Sequence, residues 1–199
     1  MDIIYFSLDP WYSVTERVHH VASQLANHNR ILFVNPVSRS ILGFLRNHLV
    51  GDRTRNFYPK VISPQKNLYV FCGPPLFDFS RYYPFINWIN HQITFRILKK
   101  HLNQLQFKNP VLWVTSPLHF EAVGKFKEIL TVYDCMDNHE GFSHPSLFKI
   151  RFERVLEERL IAKSDVIFCT SNNLKKRFCA YEGQGSNIIR SAGARVNTK

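Results

Sequence analysis

With 199 residues, 45% of them hydrophobic and 21% charged, the chain is long enough to bury a core and too apolar to be disordered. No run reaches the ~18 apolar residues of a membrane span, and Asp2 leads straight into a strand without a signal peptide's basic region, so the expected location is cytoplasmic. The 26 Lys and Arg against 15 Asp and Glu give a formal charge of +11, which implies a polyanionic neighbour: nucleic acid, anionic membrane or a phosphorylated substrate.

Ile3 to Phe6 reads as a first strand, followed by a loop through Leu8-Asp9-Pro10-Trp11-Tyr12-Ser13. Ser13 or Thr15 can cap a helix that carries Val18, Val21, Ala22, Leu25 and Ala26 at helical spacing until Asn27-His28-Asn29 stops it. Ile31 to Val34 is a second strand, so the first thirty-odd residues form a βαβ unit. Ser38 to Val50 is amphipathic, with Ile41, Leu42, Leu45 and Leu49 on one side. Leu68 to Cys72 makes a third strand, closed by Gly73-Pro74-Pro75. A long helix then carries Phe85, Ile89, Ile93 and Ile97, with Ile86, Leu98, Leu102 and Leu105 as its expected apolar face. Between Arg81 and Lys108 there is no acidic residue, and docking of this cationic segment on an anionic membrane surface is one reading, with a solvated charged face as the other.

Val111 to Val114 is a fourth strand, followed by Thr115-Ser116-Pro117-Leu118-His119 and a short helix to Lys127. Ile129 to Tyr133 is a fifth, and it ends abruptly in Asp134, Asp137, Asn138, His139 and Glu140. Ser146 can cap a helix reaching Ile161, Asp165 to Cys169 is a sixth strand, Thr170 to Asn173 caps a further helix, and Asn187 to Ile189 begins a seventh strand. This alternation predicts an α/β fold, a Rossmann-like doubly wound parallel sheet of about seven strands with helices on both faces.

Ligands of such sheets bind outside the carboxyl ends of the strands, which makes the polar cluster after Tyr133 a candidate site wall. A metal shared by Asp134 and Asp137 would need a turn at Cys135-Met136, because residues three apart on an extended segment point to opposite sides. A carboxylate serving as base or sugar-hydroxyl acceptor is the simpler reading. Arg17 and His20 at the start of the first helix, and His119 after the fourth strand, fall at the same edge, where an imidazole can exchange hydrogen bonds with a sugar or phosphate.

No Gly-x-Gly-x-x-Gly follows the first strand, and neither a P-loop nor a Gly-x-Ser-x-Gly elbow is present. Cys72, Cys135, Cys169 and Cys179 are widely spaced and read as reduced thiols, with no zinc-ligand pattern.

Taken in order, Ser7-Leu-Asp-Pro-Trp with Arg17-Val-His-His-Val-Ala, Ile31-Leu-Phe-Val-Asn-Pro, Trp113-Val-Thr-Ser-Pro-Leu-His119, Val132-Tyr-Asp-Cys-Met-Asp137 and Glu157-Glu-Arg-Leu-Ile-Ala-Lys-Ser-Asp-Val-Ile-Phe-Cys-Thr-Ser171 span nearly the whole chain. Together they resemble the N-terminal domain of GT-B glycosyltransferases of the retaining family 4 type, in the bacterial branch that builds cell-surface polysaccharides. The resemblance implies transfer of a sugar from a nucleotide-sugar co-substrate to a polysaccharide or lipid-linked acceptor, with no metal or other cofactor. It implies His119 and Asp137 as catalytic groups and Arg17, His20, Asp134 and Asn138 as acceptor contacts.

Residues 1–190 are then an acceptor-side domain, one half of a GT-B fold, and 191–199 an irregular tail where the donor-binding domain would begin. That domain is not in these residues, so the chain alone is expected to be inactive unless a second chain supplies it. The expected partners are a sugar or lipid-linked acceptor and an anionic membrane surface at the cytoplasmic face, without nucleic acid. A non-catalytic module binding an anionic glycan or membrane is the alternative.

Overall fold

A computed structural model describes residues 1–14, 16–36, 40–43, 59–77, 83–136, 147–179 and 188–191. Its centre is an eight-stranded sheet. In chain order the elements are β1 (Asp2–Phe6), α1 (Arg17–Ala26), β2 (Arg30–Val34), β3 (Lys60–Gln65), β4 (Leu68–Cys72), α2 (Pro84–Gln104) and β5 (Val111–Val114). A 3₁₀ helix (Pro117–Ala122), β6 (Leu130–Cys135), α3 (Leu147–Lys163), β7 (Val166–Cys169), α4 (Asn172–Cys179) and β8 (Ile188–Ser191) complete it.

The sheet order is β3-β4-β2-β1-β5-β6-β7-β8. Seven strands are parallel and correspond to the seven read from the sequence; the eighth, β3, pairs antiparallel with β4 at one edge. Its Ser-Pro-Gln stretch carries no alternation that would mark it, and it is mostly exposed. The parallel strands are near-continuous apolar runs because helices cover both sheet faces. On one face, Ile3, Tyr5, Ile31, Phe33, Leu68 and Val70 pack against Val18, Ala22 and Ala26 of α1. On the other, Ile4, Phe6, Leu32, Val34, Leu112 and Tyr133 pack with Phe95, Leu98 and Leu102 of α2 and with Leu160, Ile161 and Phe178.

Several boundaries differ from expectation for identifiable reasons. Glu16, and not Ser13, is the N-cap of α1: its N–H donates to His19 Nδ1 at 2.8 Å, while Ser13 turns back to Pro10 and Val14 carbonyls. Thr15 lies outside the described residues, as does all of the expected Ser38–Val50 helix except 40–43. The segment after Pro117 is a 3₁₀ helix ending at Ala122, short of Lys127. β6 runs on through Asp134 and Cys135, because the carboxylate that should have broken it is neutralised inside the fold.

The largest correction concerns α2. Leu98 and Leu102 are buried as expected, but Ile89, Ile93 and Ile97 are only half-buried and Phe85 is 68% exposed. The inward stripe of its first half is Asn87, Asn90, His91 and Thr94, at the i, i+3, i+4, i+7 spacing of one helix face. A polar stripe turned inward means that this part of the helix faces something other than core. At its far end α2 closes with Gln106 in the left-handed region (φ 54°) and the Phe107 N–H donating to Leu102 O at 3.0 Å, a Schellman arrangement with glutamine where glycine is usual.

Candidate functional site

The chain moves from β1 outward through β2 to β4, then returns to β5 on the other side of β1 and moves outward again. The strand order therefore reverses between β1 and β5, the point at the carboxyl edge where an open α/β sheet forms its ligand-binding crevice. Two residues after β5 knit its walls. Thr115 Oγ1 accepts from Leu8 N–H at 2.9 Å and donates to Phe6 O at 3.1 Å. His119 Nε2 lies 3.3 Å from Ser7 O, and its ring packs on Phe6 at 5.3 Å between centroids. Ser116 caps the 3₁₀ turn that carries His119 by accepting from Leu118 N–H.

Facing His119 from α2 is His91, with ring centroids 5.9 Å apart. Burial, with a smaller contribution from His119, pushes the His91 imidazole down to about 3, so it is neutral at physiological pH. Its Nδ1 has no hydrogen-bond partner among the described residues, and neither does Thr94 Oγ1, one turn further along α2. Asn90 beside them is fully used, accepting from Phe77 N–H at 3.0 Å and donating to Phe77 O at 2.8 Å.

Thr94 lines a cavity of about 330 Å³ walled by the loop after β1 (Tyr12, Ser13) and by the ends of β2 and β4 (Asn35, Cys72). That is within the usual size range of small-molecule pockets. Asn35 fixes the wall: its Oδ1 accepts from Trp11 N–H at 2.8 Å and its amide donates toward Cys72 Sγ at 3.4 Å. The cavity thus offers hydroxyl, amide and aromatic groups, the donor and acceptor set of a site for hydroxyl-rich ligands.

On the other flank of the crevice, alternation along β6 turns Tyr133 to the α2 face and Asp134 to the α1 face. There Arg17 donates to Asp134 Oδ1 at 2.8 Å and Trp113 Nε1 to Oδ2 at 3.3 Å. Asp134 has no exposed surface, whereas the Arg17 side chain is 38% exposed. Burial raises the Asp134 pKa, and hydrogen bonding and charge from Arg17, with Trp113, offset this only in part. Tyr5 stands nearby in an aromatic row with Phe33 and Trp113, at centroid separations of 5.5 and 5.8 Å. Its hydroxyl is also without a partner among the described residues, and burial, then Asp134, hold its pKa well above the usual phenol value.

The structure brings Arg17 and Asp134 into contact and sets His119 at the switch point. His20 is exposed; its neighbour His19 is the buried one, its Nε2 3.0 Å from Pro10 O and its Nδ1 at the helix cap. Asp137 and Asn138 lie outside the described residues. Thr94 and His91 did not emerge from the sequence, and Trp113 and Thr115 were legible only as part of the motif that ends at His119, with no role of their own. The signal for the first two was there: polar residues repeat along one face of an otherwise apolar helix. Cys72, Cys135 and Cys169 form no disulfide, and burial pushes the Cys135 thiol up to about 12. Among the described residues no group of three His, Cys, Asp or Glu could hold a metal ion, and no helix is long and apolar enough to cross a membrane.

Solved structures share this architecture. Sucrose-phosphate synthase from Thermosynechococcus elongatus superposes with a TM-score of 0.58 at 10% identity, over 99% of this chain and 91% of that one. An α,α-trehalose-phosphate synthase (UDP-forming) from Burkholderia vietnamiensis gives 0.54 at 11% identity, over 98% of this chain and 47% of that one. The fold they share is α/β and Rossmann-like, a mostly parallel sheet with flanking helices. A second trehalose 6-phosphate synthase, from Burkholderia multivorans, gives 0.50 at 12% identity, over 92% and 43%. The chain therefore spans just under half of each trehalose-phosphate synthase chain. No protein-family model matches the sequence, and no curated protein matches it.

Proposed function

We propose that these residues form the acceptor-side domain of a glycosyltransferase, and that the carboxyl-edge crevice holds the hydroxyl-bearing end of a carbohydrate acceptor. The observation that carries the reading is the Thr94 hydroxyl, without a partner among the described residues, on a residue that is only 7% exposed and lines the cavity. Leaving such a group unsatisfied costs about 1–3 kcal/mol, which a ligand hydroxyl would offset. Ser13, Tyr12 and Asn35 supply the remaining contacts for a sugar ring.

Transfer requires that one acceptor hydroxyl be aimed at the donor's anomeric carbon while the leaving diphosphate meets positive charge. His119, fixed at the switch point, and Asp137 are assigned to the reacting end. Arg17, His20, Asp134 and Asn138 are assigned to the acceptor flank; Asp134, wholly buried, acts there by holding Arg17 in place. The nucleotide-sugar is the co-substrate, and its nucleotide would be held by a second domain, in this or another chain. A cell-envelope saccharide, lipid-linked at a cytoplasmic membrane face, is the proposed acceptor class. It is supported by the stacked Phe85 and Trp88, 68% and 47% exposed, at the crevice end of an α2 that has no acidic residue.

Calorimetry of the folded chain against UDP-, GDP- and dTDP-sugars tests the division of labour. The expected result is no tight binding. Tight binding would place the donor site within these residues and overturn the acceptor assignment. Sedimentation with phosphatidylglycerol vesicles, reduced by Phe85→Ser/Trp88→Ser, tests the membrane component, and vesicle binding that this pair leaves unchanged would contradict it.

A further inference from the structure

The opposite edge of the sheet carries a second recess, with a volume of about 540 Å³. It sits at the amino ends of β5 and β6, a strand length of roughly 13 Å or more from the carboxyl-edge crevice. Three separately anchored segments converge on it. The last turns of α2 contribute Lys99 and Asn103, the segment entering β5 contributes Lys108 and Asn109, and the loop before β6 contributes Lys125 and Lys127.

Two of the segments are anchored through backbone N–H groups, and the Lys99 ammonium lies over the Phe126 ring, 6.0 Å from its centroid. In the loop before β6, the Glu128 carboxylate accepts from the N–H groups of Gly124 and Phe126, and the Phe126 ring is buried against Phe95 and Phe6. Lys125 and Lys127 flank that buried ring and are exposed. At the entry to β5, the Lys108 N–H donates to Asp2 Oδ2 at 2.7 Å, and the same carboxylate is gripped by Arg30 through two further bonds. The two acids close to the recess are thus already engaged. None of the four lysines is paired with a carboxylate among the described residues, and the recess lining contains none. Lys127 and Asn109 also hold the left-handed region, at φ 54° and 45°, which an asparagine tolerates and which costs a lysine strain.

Four like charges gathered around one concavity on anchored backbone repel one another, and of the two acids nearby only Glu128 is not already held by an arginine. We infer that this recess is a binding site for a compact phosphate-bearing group, a diphosphate or two neighbouring phosphomonoesters. The ammonium groups would meet the phosphate oxygens and the Asn103 and Asn109 amides would add hydrogen bonds. The site is separate from the acceptor crevice and stands whether or not the glycosyltransferase reading holds. A soluble phosphorylated metabolite and a lipid whose headgroup ends in a phosphomonoester or diphosphate present the same chemistry.

Equilibrium dialysis of the full chain with radiolabelled pyrophosphate, at near-physiological salt, tests the inference. The expected result is saturable binding of one equivalent, weakened about tenfold or more in Lys108→Gln/Lys125→Gln at a melting temperature unchanged or higher. A control pair elsewhere on the surface, Lys60→Gln/Lys163→Gln, should leave binding unchanged. Vesicles containing phosphatidic acid, whose headgroup is a phosphomonoester, separate the sources: co-sedimentation that pyrophosphate displaces and the recess pair abolishes assigns the lipid headgroup, and pyrophosphate binding with vesicle binding insensitive to the recess pair assigns a soluble ligand. Absence of saturable pyrophosphate binding, or equal weakening by the recess and control pairs, overturns the inference.

Discussion

Replacing Arg17 with methionine would leave the fully buried Asp134 carboxylate with the Trp113 N–H as its one remaining donor among the described residues. Breaking a buried ion pair by deleting one partner costs about 3–5 kcal/mol. Because the guanidinium side is 38% exposed, solvent screens part of the interaction, and the lower end of that range, about 3 kcal/mol, is the expected loss above neutrality. For a chain of this size that corresponds to a melting temperature lower by roughly 6–12 °C.

The sign of the pH dependence is fixed. Arg17 lowers the Asp134 pKa against the larger effect of burial, so its removal raises that pKa further. The native variant then binds the proton more tightly than the unfolded chain, and its stability deficit shrinks as pH falls through the raised value. Thermal unfolding of wild type and Arg17→Met at pH 8 and pH 5 should show the deficit falling by half or more at the lower pH. Adding Asp134→Asn, whose carboxamide oxygen can still accept from Trp113, should recover most of it at pH 8. Equal deficits at both pH values, or a double variant no more stable than Arg17→Met, would refute the reasoning.

Thr94→Val removes a hydroxyl without a partner among the described residues, so stability should be unchanged or higher by about 1 kcal/mol in denaturant titrations while saccharide binding falls. His91, held down to about 3, binds fewer protons folded than unfolded, and its contribution is lost as pH falls below the unfolded value near 6.5. Between pH 7 and pH 5 it should cost the wild type about 2 kcal/mol of stability, a component that His91→Phe should lack in the same titration. Tyr133→Phe withdraws the 2.8 Å donor from the buried Glu157 carboxylate, which then keeps Arg177; a loss of about 1–2 kcal/mol should appear in chemical unfolding. Gly124→Ala, at φ 77° with nothing near an added Cβ, should cost about 1 kcal/mol from backbone conformation alone.

The parallel strands were legible because a sheet covered on both faces writes itself as short unbroken apolar runs, as in Ile3 to Phe6 and Ile31 to Val34. The antiparallel β3 was not, since an exposed edge strand with a central proline needs neither alternation nor apolar content. The reading of Asp134 as a loop residue failed because its partner, Arg17, is 117 positions away in sequence, and only the packing of α1 over β6 turns a strand-breaking charge into an internal ion pair. His119 was found from its place after a strand. Thr94 and His91 were missed because the isoleucines at 89, 93 and 97 gave a helical period of their own, one that marks a half-buried side, while the inward side was polar where it borders the crevice.

Direct measurement of saccharide binding tests the central claim most closely. The folded chain would be screened against a panel of cell-envelope oligosaccharides, and any hit titrated by calorimetry against wild type, Thr94→Val and His119→Ala. The account predicts saturable binding that weakens in both variants, with the melting temperature unchanged or higher in Thr94→Val and the His119→Ala chain shown to be folded, and with nucleotide-sugars binding poorly. Saccharide binding indifferent to both substitutions, or none at all from a chain shown to be folded, would contradict the assignment of the carboxyl-edge crevice to a carbohydrate acceptor.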